Sequence, residues 1–240
     1  MIKWFKEFLA ALRGKPSVVQ TPPPQPVVVP PKPKALLARG LTYTEINGML
    51  NEWYLSQVGV RETSYNKGPQ VEYYQKTVDG VSESESWCMS YMQTGLYEVA
   101  KRLQLLPDLS HLSAKQIYKL IPIYKSESCM SVFYKTHPRY IIPFPFSANA
   151  PAVVGCWFIQ QQKADANKGH TGKVLSQSGT DNTIYTNEGN TDGSGSREGD
   201  GVYNRSRPLG STSDKNLRGF VDVTAAIFDM IRQNAVSVLG

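Results

Sequence analysis

The residues in this sequence that could carry covalent chemistry are one cysteine, one histidine and one carboxylate. Cys88 starts an apolar stripe at helical spacing, which continues through Met92, Leu96, Val99 and Leu103. If the serine-rich segment SESES caps this helix, Cys88 lies in its first turn, where the helix dipole and unpaired backbone N–H groups favour the thiolate. The same N–H groups can bind a developing oxyanion. The pattern predicts a nucleophile; its plain alternative is a small buried apolar side chain.

His170 and Glu188 are the candidate partners of Cys88. They lie nine residues before and nine residues after Gly179, so a hairpin centred on that glycine places them opposite each other. Opposed residues have Cβ atoms about 4.5–5.5 Å apart, close enough for a carboxylate to hold the imidazole as a general base. The plain alternatives are a solvated loop histidine and a surface carboxylate.

The register of this hairpin determines which residue orients His170. A shift by one residue puts His170 and Glu188 on opposite faces, whereas a shift by two brings Asn190 opposite His170. Asn190 is therefore the alternate orienter. Val174 and Ile184 are expected on the same face as His170, packed against the helix of the nucleophile.

The elements that position these residues are predicted to be helices first and strands afterwards. Helices are expected from Thr44 to Gln57, from about Cys88 to before Pro107, and from about Ser113 to Ile121. A last helix is expected from Thr224 to Val238. Between them, short apolar runs broken by Gly, Asn, Asp and Ser predict antiparallel strands: VVGCWFI, TGKVLS, TIYTNE, GVYNRSR and LRGFVDV. This order indicates an α+β fold.

The N-terminal segment differs in composition from the rest of the chain. Residues 1 to 14 predict a basic amphipathic helix or tail, which either contacts a membrane or envelope surface or is a frayed tail or docking peptide. Eight of the nineteen residues from Pro16 to Lys34 are proline, a density that favours an extended polyproline spacer. We therefore expect a linker over residues 15 to 34 and a folded domain over residues 35 to 240.

The charge distribution argues against a nucleic-acid-binding domain. The net charge is +6 over 240 residues. The first forty residues hold seven basic and one acidic residue, which leaves nineteen of each in the remainder. The basic character thus belongs to the tail, and the folded part has no excess charge that would attract phosphates.

The cysteine count excludes two further classes. Cys88, Cys129 and Cys156 are odd in number and form no Cys-x-x-Cys pair, so neither a disulfide scaffold nor a structural zinc site is expected. We expect no metal and no cofactor. No apolar run reaches the ~20 residues that span a bilayer, and the short N-terminal run lacks the features of a clear signal peptide.

Three segments around Cys88, His170 and Glu188 resemble a known family. The segment Glu62-Thr63, Asn66-Lys67-Gly68-Pro69, Val71, Tyr74 and Glu85-Ser86-Trp87-Cys88 is similar to the approach to the catalytic cysteine in CHAP-type domains, the cysteine- and histidine-dependent amidohydrolases and peptidases. Gly169-His170-Thr171-Gly172-Lys173-Val174 resembles their histidine strand. The residues from Thr186 to Val202 resemble the next strand of these domains and its glycine-rich loop. The resemblance covers roughly residues 42 to 222.

The resemblance implies a papain-like cysteine hydrolase, with N-terminal helices packed on an antiparallel β-sheet. It implies cleavage of an amide bond in bacterial peptidoglycan, as amidase or endopeptidase, by Cys88, His170 and Glu188 through an acyl-enzyme. Asn66 and Trp87 are substrate-groove residues by this resemblance alone. The expected place of action is the bacterial cell wall, as a phage endolysin, a virion-associated protein or an exported bacterial enzyme.

Two features leave alternatives open. Residues 105 to 151 form a long insert between the cysteine helix and the histidine strand, which either walls or covers the groove or adds packing on the domain's flank. The function itself has a second interpretation, a non-catalytic envelope-binding or virion structural module on the same fold, tethered by the basic tail.

Overall fold

The computed structural model describes residues 36–145, 152–179, 183–192, 199–209 and 216–237. The predictions for residues 1 to 14 and 15 to 34 lie outside these ranges. In chain order the described α-helices are α1 Tyr43–Ser56, α2 Pro69–Asp79, α3 Cys88–Gln104, α4 Ala114–Leu120, α5 Cys129–Lys135 and α6 Val223–Asn234. The strands are β1 Ile141–Pro143, β2 Trp157–Gln161, β3 Gly169–Gln177, β4 Thr183–Thr191, β5 Gly201–Pro208 and β6 Leu217–Val221.

The six described strands form one sheet in the order β1-β6-β2-β3-β4-β5. Every neighbouring pair is antiparallel. Helices α1 and α3 pack against each other and on the sheet, and the C-terminal helix α6 packs against α1. The predicted α+β fold, with N-terminal helices packed on an antiparallel sheet, is confirmed.

Capping residues set where the helices begin. Thr42 caps α1, because its hydroxyl accepts from the Glu45 amide while the Glu45 carboxylate accepts from the Thr42 amide. The helix therefore begins at Tyr43, one residue before the predicted start at Thr44. Ser113 caps α4 in the same reciprocal way with Gln116, as the predicted start near Ser113 requires.

Helix α3 lies at the centre of the main hydrophobic core. Its predicted stripe is confirmed, because Met92, Leu96, Val99 and Leu103 have no exposed surface. A cluster of packed aromatic rings lies beside it and holds α1 and α2 against α3: Trp53, Tyr54, Tyr74, Trp87 and Tyr91. This packing holds the start of α3 in place.

The sheet has two covered faces, and the predicted face was wrong. Val174 and Ile184 belong to a second apolar cluster together with Phe158 and Phe220, separate from the core that contains α3.

Lys173 and Asn187 are the residues of β3 and β4 that reach the helices. The Lys173 ammonium donates to Asn47, and the Asn187 amide oxygen accepts from Tyr91. Strand alternation fixes which residues share a face, but both faces of β3 are buried, so alternation alone could not identify the helix side.

Three elements were not predicted. Helix α2 follows Gly68 and has a mostly polar sequence with few apolar residues. Helix α5 and strand β1 lie within the insert of residues 105 to 151 and are only seven and three residues long. Elements this short obtain their stability from tertiary packing, which local sequence does not report.

Candidate active site

Cys88 is the first residue of α3 and is almost fully buried, with 3% of its surface exposed. The predicted position at the helix start is confirmed, but the predicted serine cap is wrong. Trp87 occupies the N-cap position and makes no side-chain cap. Its indole instead donates to the Glu62 carboxylate at 2.7 Å. The backbone N–H groups in the first turn of α3 have no acceptor within the helix, so they point out of the helix end that carries the Cys88 thiol.

His170 and Glu188 form a direct contact on β3 and β4. The distance from His170 Nε2 to Glu188 Oε2 is 2.9 Å, and the two side chains are 6% and 0% exposed. An ionised carboxylate can only accept a hydrogen bond, so His170 Nε2 carries the hydrogen of this contact. Nδ1 is then the ring nitrogen that does not face Glu188. The structure therefore contains the predicted contact between the His170 and Glu188 side chains.

The register that produces this contact differs from the predicted one. Lys173 pairs with Asn187 and Val174 with Thr186, which is a shift of two residues from a hairpin centred on Gly179. A two-residue shift keeps every side chain on its face. Glu188 consequently reaches His170 along a diagonal instead of from the directly opposed position.

Asn190, the alternate orienter, has a different environment. It has a left-handed backbone (φ 55°) next to an irregularity in the pairing of β4 with β5 between Glu188 and Thr191. Its side chain is 1% exposed, and neither amide atom has a hydrogen-bond partner among the described residues. The structure thus brings Glu188 to His170, and no hydrogen bond joins the Asn190 side chain to the imidazole within the described part of the chain.

Arg207 and Thr186 hold the Glu188 carboxylate in place. Arg207 Nε and Nη2 donate to Oε1 and Oε2 at 2.6 and 2.5 Å, and the Thr186 hydroxyl donates to Oε1 at 2.5 Å. The guanidinium also lies over the Phe158 ring at 4.9 Å from its centroid. Arg207 was missed by the sequence analysis. The only available sign of it was general, since a fully buried carboxylate requires a cationic partner.

Charge interactions favour an ionised imidazole and an ionised carboxylate. Burial disfavours the imidazolium, but hydrogen bonding and charge interactions with Cys88 and Glu188 outweigh it and raise the pKa of His170 above its ordinary value. Burial alone would raise the pKa of Glu188. The hydrogen bonds from Arg207 and His170 and the positive charges of these two residues outweigh burial and lower the pKa of Glu188 to about 2. The carboxylate is therefore ionised at any physiological pH.

The thiol of Cys88 meets the imidazole where β3 begins. Its Sγ lies 4.0 Å from the carbonyl oxygen of Gly169, the residue before His170. His170 Nδ1 is buried and makes no hydrogen bond of standard geometry to a described residue, while the thiol is near enough to the ring to contribute to the raised pKa of His170. Helix α3 and the histidine lie on different faces of the sheet, so they meet at its end.

Two neighbouring cavities open on this site and share Gly169. One, of about 220 Å³, is lined by His170, Arg207 and the three glutamines at 160 to 162. The other, of about 300 Å³, contains the Cys88 thiol. One cavity thus reaches the imidazole and the other reaches the thiol.

Glu127 lines the second cavity. Burial, followed by the charges of Glu85 and Asp79, raises the pKa of Glu127 to about 7.

The two residues expected in the substrate groove lie behind the site. Trp87 has no exposed surface, and Asn66 is 3% exposed. The Asn66 amide donates to the backbone oxygen of Ser84 at 3.0 Å and its backbone N–H donates to Glu62 at 2.8 Å. Both side chains thus support the segment that leads to Cys88, and neither lines one of the two cavities described above.

Gly172 gives the Glu188 side chain the space to reach His170. A Cβ at residue 172 would lie 2.5 Å from Glu188 Cγ and 2.8 Å from a Phe158 ring carbon. We expect Gly172→Ala to displace Glu188 from His170 and to lower the free energy of unfolding by about 1–3 kcal/mol. Gly179→Ala is the matched control on the same hairpin, because a Cβ there meets nothing within 4 Å. Urea unfolding measures both, and equal stability of the two variants would contradict this account.

In the described ranges no group of three or more His, Cys, Asp or Glu side chains is arranged to hold a metal ion. None of the helices in these ranges is both long and apolar enough to cross a membrane. No protein-family model matches the chain, and no curated protein or solved structure is significantly similar to it.

Proposed function

We propose that this protein is a papain-like cysteine hydrolase of the CHAP type that cleaves an amide bond in bacterial peptidoglycan. The observation that supports the proposal is the chain of contacts from Arg207 through Glu188 and His170 to Cys88. Its hydrogen bond of 2.9 Å between His170 and Glu188 fixes the imidazole beside a thiol at a helix start. These are the three parts of activated cysteine catalysis: nucleophile, base and orienting group.

The reaction begins with attack of the Cys88 thiolate on the amide carbonyl carbon. The resulting oxyanion faces the first-turn amides of α3, which lack helical acceptors. The His170 imidazolium gives its proton to the amide nitrogen, the C–N bond breaks and the amine leaves. Cys88 then carries the acyl group as a thioester.

The second half of the reaction restores the enzyme. His170, now neutral, takes a proton from a water molecule, which attacks the thioester carbonyl. The carboxylic acid product leaves and Cys88 returns to the thiolate beside an imidazolium. Glu188 keeps the imidazole oriented throughout and stays ionised, because Arg207 holds the pKa of Glu188 far below its ordinary value after outweighing the effect of burial.

The insert of residues 105 to 151 supports a role in substrate binding. Three of its residues, Glu127, Ser128 and Cys129, line the cavity that contains the Cys88 thiol. The insert also packs on the flank, where the Tyr140 hydroxyl donates to Asp229 on α6 at 2.9 Å. Both interpretations of the insert therefore apply to different parts of it. The substrate class, peptidoglycan, rests on the resemblance of the motifs around Cys88 and His170.

Release of soluble fragments from purified peptidoglycan tests the proposal. We expect His170→Ala to lower the initial rate of release by about 10²-fold or more, because the thiol loses its base and the leaving amine its acid. His111→Ala is the matched control, since His111 lies in an exposed turn, far in sequence from either catalytic strand. Unchanged far-ultraviolet circular dichroism establishes that both variants fold.

The non-catalytic interpretation makes the opposite prediction in the same assay. An envelope-binding or structural module would sediment with peptidoglycan and release no fragments, whether or not His170 is present. Wild-type protein that binds without releasing fragments, or a His170→Ala variant that releases them at the wild-type rate, would contradict the proposed hydrolase.

A further inference from the structure

A second thiol lies against the candidate nucleophile. The Sγ atoms of Cys88 and Cys129 are 3.7 Å apart, and each side chain is 3% exposed. Cys129 is the first residue of α5, as Cys88 is of α3. The hydrolytic mechanism has no role for this second sulfur, although it lies nearer to the nucleophile than the backbone oxygen of Gly169 does.

The two cysteines are brought together by the packing of the insert. They are 41 residues apart in the chain, and α5 packs on β2 and β3. Gly169 permits this approach, because a Cβ at that residue would lie 3.1 Å from Cys129 Cβ and 2.4 Å from the Gln160 backbone oxygen. The contact between the sulfurs is therefore built into the framework of the site.

The separation suits a bond that forms and breaks. Both residues are thiols in the structure, and two sulfurs at 3.7 Å are in van der Waals contact. A disulfide requires an S–S distance of about 2.05 Å, so the sulfurs need to approach each other by roughly 1.7 Å. Side-chain rotation and a small shift of α5, which belongs to the insert, can supply that movement.

A small oxidant can reach both sulfurs. Cys88 and Cys129 line the same cavity of about 300 Å³, together with the polar side chains of Ser86, Ser128 and Asn167. The third cysteine, Cys156, has no exposed surface and belongs to the separate apolar cluster on the other face of the sheet. Their proximity and their access to this cavity thus distinguish Cys88 and Cys129 from Cys156.

We propose that Cys88 and Cys129 form a reversible disulfide when a hydroperoxide oxidises the site. The Cys88 thiolate attacks the O–O bond of hydrogen peroxide, which gives the sulfenic acid of Cys88 and hydroxide. The Cys129 thiol then attacks the sulfenic sulfur, and the sulfenic oxygen leaves as water. Peroxide is reduced by two electrons and the two thiols are oxidised by two. Two equivalents of a thiol reductant, themselves joined as a disulfide, restore Cys88 and Cys129.

The disulfide protects the nucleophile as well as blocking it. A sulfenic acid without a neighbouring thiol is oxidised further to sulfinic acid, which thiol reductants do not reverse. Capture by Cys129 ends the oxidation at the reversible stage. The loss and recovery of activity rest on the proposed function, whereas the formation of the disulfide does not.

Peroxide treatment of the full-length protein, followed by peptide mapping without reduction, tests the proposal. We expect a Cys88–Cys129 linked peptide, a protein mass lower by two hydrogen atoms, and recovery of both thiols with dithiothreitol. In Cys129→Ser we expect a gain of two or three oxygen atoms on Cys88 that dithiothreitol does not remove. Cys156→Ala is the matched control and should form the linked peptide as the wild type does.

The possible outcomes test the disulfide and the proposed function separately. Oxidation of Cys88 to sulfinic acid in the wild type at the rate seen in Cys129→Ser would overturn the proposal, and so would a linkage through Cys156. Peptidoglycan hydrolysis, normalised to each variant's untreated rate, should fall with formation of the link and return with dithiothreitol. A linked peptide in a protein that shows no hydrolysis before treatment would leave the disulfide established and contradict the proposed function alone.

Discussion

Glu188→Gln is expected to weaken the protein and its activity together. The substitution keeps the shape of the side chain but removes the negative charge that pairs with the Arg207 guanidinium. Breaking a buried ion pair by removing one partner costs about 3–5 kcal/mol of unfolding free energy. The imidazole also loses the carboxylate that orients it and raises the pKa of His170 against the effect of burial, so fragment release should fall by about 10²-fold.

The pH dependence of stability provides a second test of this variant. The pKa of Glu188 is about 2 in the folded protein, far below the ordinary 4.5, because Arg207 and His170 outweigh burial. Its contribution to stability is therefore complete above pH 4.5 and is lost as the pH falls towards 2. We expect the wild-type free energy of unfolding to decrease over this range, and the decrease to be smaller in Glu188→Gln.

Glu52→Gln is the matched control for Glu188→Gln. Glu52 also accepts from an arginine, with 2.7 Å between its Oε2 and Arg102 Nη1, but its side chain is 70% exposed. Exposed ion pairs contribute about 0–1 kcal/mol, so this variant should keep its stability and activity. Guanidinium unfolding and fragment release measure both proteins. Similar small losses in the two variants would show that the Glu188 carboxylate neither stabilises the fold nor serves the imidazole.

Cys88→Ala is expected to have the largest effect on activity. The thiolate is the only group of the protein that bonds to the substrate carbon in the proposed mechanism, so hydrolysis should fall to the uncatalysed background. The fold should survive, because alanine fills most of the volume of a buried cysteine at a helix start with good helical propensity. The measurement is fragment release by protein whose circular dichroism spectrum matches that of the wild type.

Cys156→Ala is the control that separates chemistry from burial. Cys156 is also buried, and burial, followed by the charge of Asp222, raises the pKa of its thiol far above the ordinary value. It lies in the second apolar cluster, away from His170. Its variant should retain the wild-type rate. Measurable hydrolysis by Cys88→Ala at more than a trace of that rate would assign the chemistry to another residue.

The helix that begins at Cys88 was predictable because a single physical rule governs it. An apolar residue at every third or fourth position marks a buried helical face, and Cys88 falls on that face at its start. The cap was not predictable in the same way. The serines before Cys88 suggested a side-chain cap, but the buried indole of Trp87 fixes the chain direction there, and packing of this kind depends on residues far away in sequence.

The contact of His170 with Glu188 follows from the period of a strand more than from its register. The observed register is two residues from the predicted one, and a shift by two preserves the face. Gly172 then gives the carboxylate space to cross diagonally to the imidazole. The face that packs on α3 was wrongly assigned, because Val174 and Ile184 are equally suited to either apolar layer.

Arg207 and Cys129 show what the sequence could not reveal. Arg207 reaches Glu188 from β5, at a position that resembles any other charged residue on a strand with one polar face. Cys129 approaches Cys88 only because the insert folds back over the start of β3. Contacts between residues so distant in the chain are set by tertiary structure, and one sequence contains no local pattern that indicates them.

The chemistry of the bond that is cut tests the central claim most directly. Purified peptidoglycan treated with the wild-type protein can be assayed for new amino groups and for new reducing sugar ends. Cleavage of an amide bond by Cys88 predicts that amino groups appear in step with soluble fragments, that reducing ends do not increase, and that Cys88→Ala produces neither change. Fragments accompanied by reducing ends, or no new amino groups with folded wild-type protein, would contradict it.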